Sequence, residues 1–99
     1  MYGPKPPRSW PHADPTPFQG LTAGTRYEVV HPFKDFDGDS HEANESWVYI
    51  GRNFVPYEDG LSLFVSLDGI NEWQIRLQWR PEEQGEVIDN LHKYVRPVL

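Results

Sequence analysis

The sequence contains no cysteine, which excludes disulfide bridges, thiolate zinc sites and cysteine nucleophiles. It also has no apolar run close to the roughly 20 residues that a membrane-spanning helix requires. The N-terminal stretch MYGPKPPRSWPHADPTPF lacks the apolar core of a signal peptide. We therefore expect a soluble protein, and the absence of cysteine fits a cytoplasmic location.

Positive charge is scarce as well. Nine Lys and Arg side chains stand against 15 Asp and Glu side chains, so the formal net charge is −6 at pH 7. The positive residues are scattered and form no basic stretch that could neutralise nucleic-acid phosphates. Anionic membrane surfaces are disfavoured for the same reason. We therefore expect neither nucleic acid nor a membrane as a partner.

Proline is concentrated at one end of the chain, because six of the ten prolines lie in the first 20 of its 99 residues. The sequence predicts a proline-rich tail over residues 1–20, in polyproline II or irregular coil, and a single domain over residues 21–99. The segment PKPPRSWP contains a bare PxxP pattern, which is common by chance. The alternative to a ligand for a proline-binding domain is a tail whose Trp10 and Phe18 pack onto the domain.

Four stretches have the composition and period-two alternation of β-strands: GLTAGTRYEVVHPF, SWVYIGRNFVPY, LSLFVSL and NEWQIRLQWRPEEQ. In the second stretch, the alternation assigns Trp47, Tyr49 and Gly51 to one side and Val48, Ile50 and Arg52 to the other. Gly51 also indicates a bulge or a close approach of another backbone segment. Asp68-Gly69 is a strong hairpin signal between the third and fourth stretches. The polar stretch KDFDGDSHEANE is predicted to be a long surface loop.

A C-terminal helix is predicted to begin at Pro81, where a missing N–H does no harm. Its apolar stripe consists of Val87, Ile88, Leu91, Tyr94 and Val95. The order of strand, long loop, three-strand meander and helix predicts a mainly β fold. We expect a small SH3-like barrel or, as the alternative, a four-stranded antiparallel sheet with one C-terminal α-helix.

Two segments resemble a known family. FKDFDGDSHEANESWVYIGRNFVPYEDGLSLFV and EWQIRLQWRPEEQGEVIDNLHKYV are similar to a small bacterial domain family of unknown function, with its DFDG-type loop, PYEDGL turn and QIRLQWRPEEQ segment. The resemblance covers residues from about 21 to 95. It implies no activity, substrate or catalytic residue, because the family has none assigned.

The acidic loop is the first candidate for metal binding. Asp35, Asp37 and Asp39 match the start of an EF-hand loop, but glycine falls at loop position four and Ser46 stands where the bidentate glutamate belongs. His31 and His41 are too few ligands for a zinc site. We therefore expect no metal and no cofactor.

Catalytic motifs are also missing from the sequence. It contains no GxSxG elbow, no phosphate-binding glycine loop and no HExxH motif. Ser40 and His41 are neighbours in sequence, which alone does not make a nucleophile and its base. We therefore expect that the protein is not an enzyme.

We therefore expect the function to lie in exposed side chains that bind a partner. In the fourth strand, Trp73, Ile75, Leu77 and Trp79 alternate with Gln74, Arg76, Gln78 and Arg80. The two arginines either pair with acidic residues of the chain itself or contribute to a protein-binding face. By analogy with SH3-like barrels, we predict a groove between residues 35–45 and the turn at Pro56–Gly60. The candidate binding residues are Phe36, Asp37, Asp39, Tyr57, Glu58, Arg76 and Arg80.

The sequence thus favours a non-catalytic module that binds another protein, and the acidic composition suits a basic partner. Two alternatives remain open. One is a small acidic inhibitor or immunity-type protein that blocks a basic site on a toxin, a nuclease or another nucleic-acid-binding protein. The other is a small metal-dependent enzyme. The sequence leaves the partner's identity and the oligomeric state undefined.

Overall fold

The computed structural model describes residues 1–99, which form eight strands, two short α-helices and one 3-10 turn. The strands are β1 (Tyr2–Lys5), β2 (Arg26–Val29), β3 (Phe33–Lys34), β4 (Ser40–His41), β5 (Ser46–Val55), β6 (Gly60–Ser66), β7 (Glu72–Gln78) and β8 (Val95–Pro97). The helices are α1 (Gly85–Asp89) and α2 (Leu91–Tyr94), and the 3-10 turn spans Pro56–Glu58. Neither α-helix has the length and apolar character that crossing a membrane demands.

Six strands form one antiparallel sheet in the spatial order β1-β7-β6-β5-β2-β8. The sheet is open, because β1 and β8 are edges that do not pair with each other. The predicted SH3-like barrel is therefore wrong. The alternative, an antiparallel sheet, is confirmed in its four central strands β2, β5, β6 and β7. Pro4 and Pro97 lie in the two edge strands, where proline is tolerated and where its missing N–H discourages further pairing.

The core lies on one face of this sheet. Period-two alternation sends Leu61, Leu63 and Val65 of β6 and Ile75 and Leu77 of β7 to that face, where all five are at most 2% exposed. Trp47 and Tyr49 of β5 are completely buried beside them. The predicted orientation of the fourth stretch is confirmed, since Arg76 is exposed between the two buried residues of β7.

The predicted C-terminal helix is divided into two helices. Asn90 separates them, and its side-chain amide donates to the Glu86 carbonyl oxygen at 2.9 Å, which competes with continuation of the helix. Val95, the last residue of the predicted apolar stripe, belongs to β8 instead. The apolar residues Val87, Ile88, Leu91 and Val95 are nevertheless all buried in the core.

The N-terminal segment packs against the sheet. β1 pairs with β7, so the expectation of polyproline II or coil is wrong for Tyr2–Lys5. The Trp10 ring stacks on Phe64 with 5.0 Å between ring centroids, and the Phe18 ring lies edge-on to Trp79 at 6.0 Å. The expected packing of Trp10 and Phe18 onto the domain is therefore confirmed.

The predicted surface loop contains a small second sheet. β3 and β4 pair as Phe33 with His41 and Lys34 with Ser40. This hairpin was not predicted, because its two strands have only two residues each and are too short to show a period in the sequence. It holds the acidic turn at residues 35–39 beside β7.

Candidate functional site

The outer face of the sheet is the surface that β6 and β7 present away from the core. It carries the side chains of Ser62, Phe64, Gln74, Arg76 and Gln78. Gln74 donates from Nε2 to the Ser62 Oγ at 2.8 Å, which links the two strands. Trp10 covers the outer face at Phe64, and Phe64 is consequently only 3% exposed. The other end of the outer face is open.

The open end forms a cleft with a volume of about 500 Å³. Its lining includes Phe36, Asn53, Val55, Tyr57, Glu58, Ser62, Gln74, Arg76, Gln78 and Arg80. Three of the lining side chains are large, apolar and solvent-exposed: Tyr57 is 97% exposed, Phe36 47% and Val55 40%. Such side chains, grouped in a concave surface, are unusual unless something binds them.

A β-bulge in β5 determines which of its residues reach the cleft. The register with β6 shifts between Tyr49 and Gly51, so that Gly51 lies opposite Phe64 and Val55 opposite Gly60. The predicted bulge at Gly51 is confirmed. The predicted sides of Gly51 and Arg52 are wrong, because the extra residue reverses the alternation after Tyr49.

Gly51 is also a point of close approach, as predicted. A Cβ atom there would lie 2.7 Å from the backbone oxygen of Asp14, so only glycine fits. Arg52 reaches the N-terminal segment on the core side, with its guanidinium 4.6 Å from the Phe18 ring centroid and 3.5 Å from an Asp14 carboxylate oxygen.

Both arginines of the cleft pair with carboxylates of the chain itself. Arg76 Nε donates to Asp37 Oδ2 at 3.0 Å, and the second guanidinium nitrogen donates to Asp37 Oδ1. The hydrogen bond from Arg76 lowers the pKa of Asp37. Arg80 Nε donates to Asp59 Oδ2 at 2.9 Å. The partners come from the acidic turn and from the end of the 3-10 turn.

The structure brings the predicted binding residues to neighbouring positions. Phe36, Tyr57, Glu58, Arg76 and Arg80 line the cleft, while Asp37 and Asp39 line a smaller adjoining cleft with Tyr2. Two elements frame the larger cleft, the acidic turn and the 3-10 turn. The backbone N–H of Phe36 donates to the Arg76 carbonyl oxygen at 2.8 Å and so fixes the acidic turn to β7.

Sequence reasoning missed the cleft residues Asn53, Val55, Ser62, Gln74 and Gln78. No local signal identifies the first two, because their direction depends on where the bulge falls. Gln78 does belong to the polar set of the alternating fourth strand, and that signal could have placed it in the site.

A buried charge network holds the acidic turn in place. The Asp35 Oδ1 atom accepts the backbone N–H groups of Asp37 and Asp39, both at 3.0 Å. The other Asp35 oxygen lies 2.8 Å from His41 Nε2, and His41 Nδ1 lies 2.6 Å from Glu45 Oε2. Asp35 and His41 are at most 2% exposed. This network positions Phe36 at the cleft and Asp37 beside Arg76, while Asp35 and His41 themselves lie outside the cleft lining.

The same network sets the charge of His41. Burial alone would lower the pKa of His41, but the hydrogen bonds and charges of Glu45 and Asp35 outweigh it and raise the pKa. Since both ring nitrogens face carboxylates, we assign the ring as a doubly protonated imidazolium. It stacks on Phe33 with 4.8 Å between centroids.

This arrangement bears on metal binding and catalysis. The Asp35 oxygens are engaged by backbone N–H groups and His41, and no group of three or more His, Asp or Glu residues is placed to hold a metal ion. His41 is buried with both nitrogens occupied, whereas Ser40 is exposed. Ser40 and His41 therefore do not form a nucleophile and base.

Comparison with known proteins identifies the family. The family described as a domain of unknown function (DUF3601) matches residues 18–98, and the chain therefore belongs to it. A solved structure of an integron cassette protein from the mobile metagenome of Vibrio cholerae is 38% identical, with a TM-score of 0.82 over 89% of this chain and 96% of that chain. A search of curated proteins gives no match. The resemblance to a small bacterial family of unknown function is thus confirmed, and neither match names a catalytic activity.

Proposed function

We propose that this member of the DUF3601 family is a non-catalytic module that binds another protein through the cleft on its outer face. The observation that carries the proposal is the cleft of about 500 Å³, in which Phe36, Val55 and Tyr57 are exposed. Aromatic side chains such as Tyr57 and Phe36 are common anchors of protein interfaces. Tyr57 is almost fully exposed in the free protein, so a partner that covered it would gain apolar burial.

The chemistry of the lining supports binding rather than catalysis. The lining contains no histidine, and its two arginines are engaged by Asp37 and Asp59. Glu58 contributes the one carboxylate among the lining residues. A general acid and base would need two titratable groups directed at one point. No observation specifically favours the alternative of a metal-dependent enzyme.

The inhibitor or immunity-type alternative would use the same surface. Its support is the net charge of −6, which suits attraction to a basic site on a toxin, nuclease or nucleic-acid-binding protein. The association rate of such a complex would fall steeply with added salt.

We propose the cytoplasm as the location, because the chain has no cysteine.

The test is affinity capture from a lysate of the host bacterium, with the wild type and a Phe36→Ala/Tyr57→Ala variant as parallel baits. We expect a protein retained by the wild type to be lost by the variant, because removing two anchors weakens binding by about 30-fold or more. Mass spectrometry identifies the retained protein, and calorimetry with both purified proteins then measures the affinity.

Ile70→Ala is the matched control. Ile70 is an exposed apolar residue, 67% exposed, in the turn between β6 and β7 at the opposite end of these strands from Tyr57. Its substitution should leave capture unchanged. We also expect Phe36→Ala to alter the free energy of unfolding by less than about 1 kcal/mol, because the side chain is half-exposed. Equal capture by all three baits, or capture by none, would refute the proposed function.

A further inference from the structure

The outer face already holds one segment of chain. Residues 1–12, MYGPKPPRSWPH, first extend the sheet as β1 at the β7 edge and then place the Trp10 ring on the outer face, where it stacks on Phe64. Phe64 is buried by this contact although it points away from the core. The outer face can therefore accept an extended segment that presents an aromatic ring.

This segment is opposite in charge to the rest of the chain. It contains Lys5 and Arg8 and no Asp or Glu, a side-chain charge of +2. Residues 13–99 accordingly carry −8, the whole-chain charge of −6 less the +2 of this segment. In the covered half of the outer face, a positively charged segment with an aromatic ring thus packs on the negatively charged remainder of the chain.

The open cleft continues the covered half. Gln74 of β7 lies opposite Tyr2 in the β1 pairing and also lines the cleft, so the two halves meet there. Within the cleft, the charges of Arg76 and Arg80 are matched by Asp37 and Asp59. Glu58 makes no ion pair, and its carboxylate is the third negative charge around these two positive ones. Together with the two carboxylates that pair with its arginines, the cleft lining carries a net charge of −1, which favours a cationic ligand over an acidic one.

From this charge balance and this continuity, we infer that the occupant of the cleft is an extended segment of a partner protein that carries an aromatic side chain and at least one Lys or Arg. The inference rests on the proposed function and specifies the partner's chemistry. Phe36 and Tyr57 would contact the aromatic side chain, and Glu58 would pair with the cation. The Tyr57 ring can also receive the cation directly, as the Tyr2 ring does for Lys5 Nζ at 5.2 Å.

The test uses a phage-displayed library of random 12-residue peptides selected on the whole protein. We expect enriched peptides to contain an aromatic residue with Lys or Arg, and to lack Asp and Glu. A synthetic copy of the most enriched peptide is then titrated against the wild type, Glu58→Gln, Tyr57→Ala and Glu42→Gln. Glu42 is exposed and lies outside the cleft lining, so Glu42→Gln is the control for a general loss of negative charge.

The titrations of the wild type and the three variants distinguish this inference from the proposed function. We expect Glu58→Gln to weaken binding by about 2- to 5-fold, the effect of one exposed ion pair, and Glu42→Gln to change it much less. Peptides that depend on Tyr57 but are neutral or acidic, or that bind Glu58→Gln as tightly as the wild type, would overturn this inference and leave the proposed function intact. A library that yields no Tyr57-dependent peptide would overturn both.

Discussion

At the scale of single residues, His41 connects the cleft to the rest of the fold. Its two carboxylate partners come from different places, Asp35 from the acidic turn and Glu45 from the position immediately before β5. Glu45 also accepts a hydrogen bond from the Trp47 indole at 3.1 Å. Doubly protonated His41 therefore links the turn that carries Phe36 to the central strand β5 through its two hydrogen bonds.

The stability of the protein should depend on this proton. Because the pKa of folded His41 is raised, its stabilising contribution is complete below about 6.5, the ordinary histidine value, and is lost as the pH rises through the folded value. We expect the free energy of unfolding, measured by urea denaturation, to fall as the pH is raised above about 6.5. In His41→Gln this fall should be smaller.

The comparison of the two proteins isolates His41 from other titrating groups, such as the Met1 amino group, whose pKa is also raised. At pH 6 the variant should be less stable by about 1.5–3 kcal/mol, because buried Asp35 loses the charge-assisted hydrogen bond from His41 and keeps only the Met1 amino group, 3.4 Å away, as a cationic partner. Identical pH slopes in the wild type and His41→Gln would mean that His41 does not carry this charge.

The direction of a side chain, towards the core or towards solvent, was predictable where the alternation of its own strand determines it. The inward direction of Ile75 and Leu77 and the outward direction of Arg76 follow from the period of two. The burial of Phe64 did not follow, because it depends on Trp10, which is distant in sequence. Alternation reveals the face on which a residue lies but not what covers that face.

At the scale of elements, the connection from β7 to α1 depends on one tight contact. The Gly85 N–H donates to the Arg80 carbonyl oxygen at 2.9 Å, and a Cβ on Gly85 would lie 2.7 Å from the same oxygen. Helix propensity alone would favour alanine at this position by about 1 kcal/mol. Packing and propensity therefore predict opposite effects of substitution.

We expect Gly85→Ala to lower the free energy of unfolding by about 1–3 kcal/mol, because a backbone atom blocks the added methyl group. Thermal and urea denaturation measure this change. Gly60→Ala is the control, since the nearest atom to its Cβ would be 3.9 Å away, in the Glu58 side chain. Stabilisation by Gly85→Ala would mean that the turn relaxes and that helix propensity dominates.

Several elements could be recognised from their own sequence, and the shortest strands mostly could not. The seven-residue strands β6 and β7 show their period in the sequence, as does the hairpin signal at Asp68-Gly69. β1, β3, β4 and β8 have two to four residues each and depend on pairing with distant segments. The apolar stripe of the helices was recognisable, whereas the break at Asn90 depends on a side-chain hydrogen bond.

At the scale of the whole molecule, the sequence defined an apolar face for each central strand but not whether the sheet closes. Closure requires the two edges to pair, and the edges here are short strands that contain proline. An open sheet leaves an outer face, which residues 1–12 cover at Phe64 and which forms a cleft at Tyr57. The candidate residues were predicted from exposed aromatics and charges, although the barrel analogy behind the groove was wrong.

The central claim is that the open half of the outer face is where a partner binds. The most direct measurement is an NMR titration of the ¹⁵N-labelled protein with the selected synthetic peptide, following every backbone amide. We expect the largest shift changes to cluster at Phe36, Tyr57, Ser62 and Arg76, with little change in α1, α2 and β8. Changes centred on those three elements, or no change at saturating peptide, would contradict the claim.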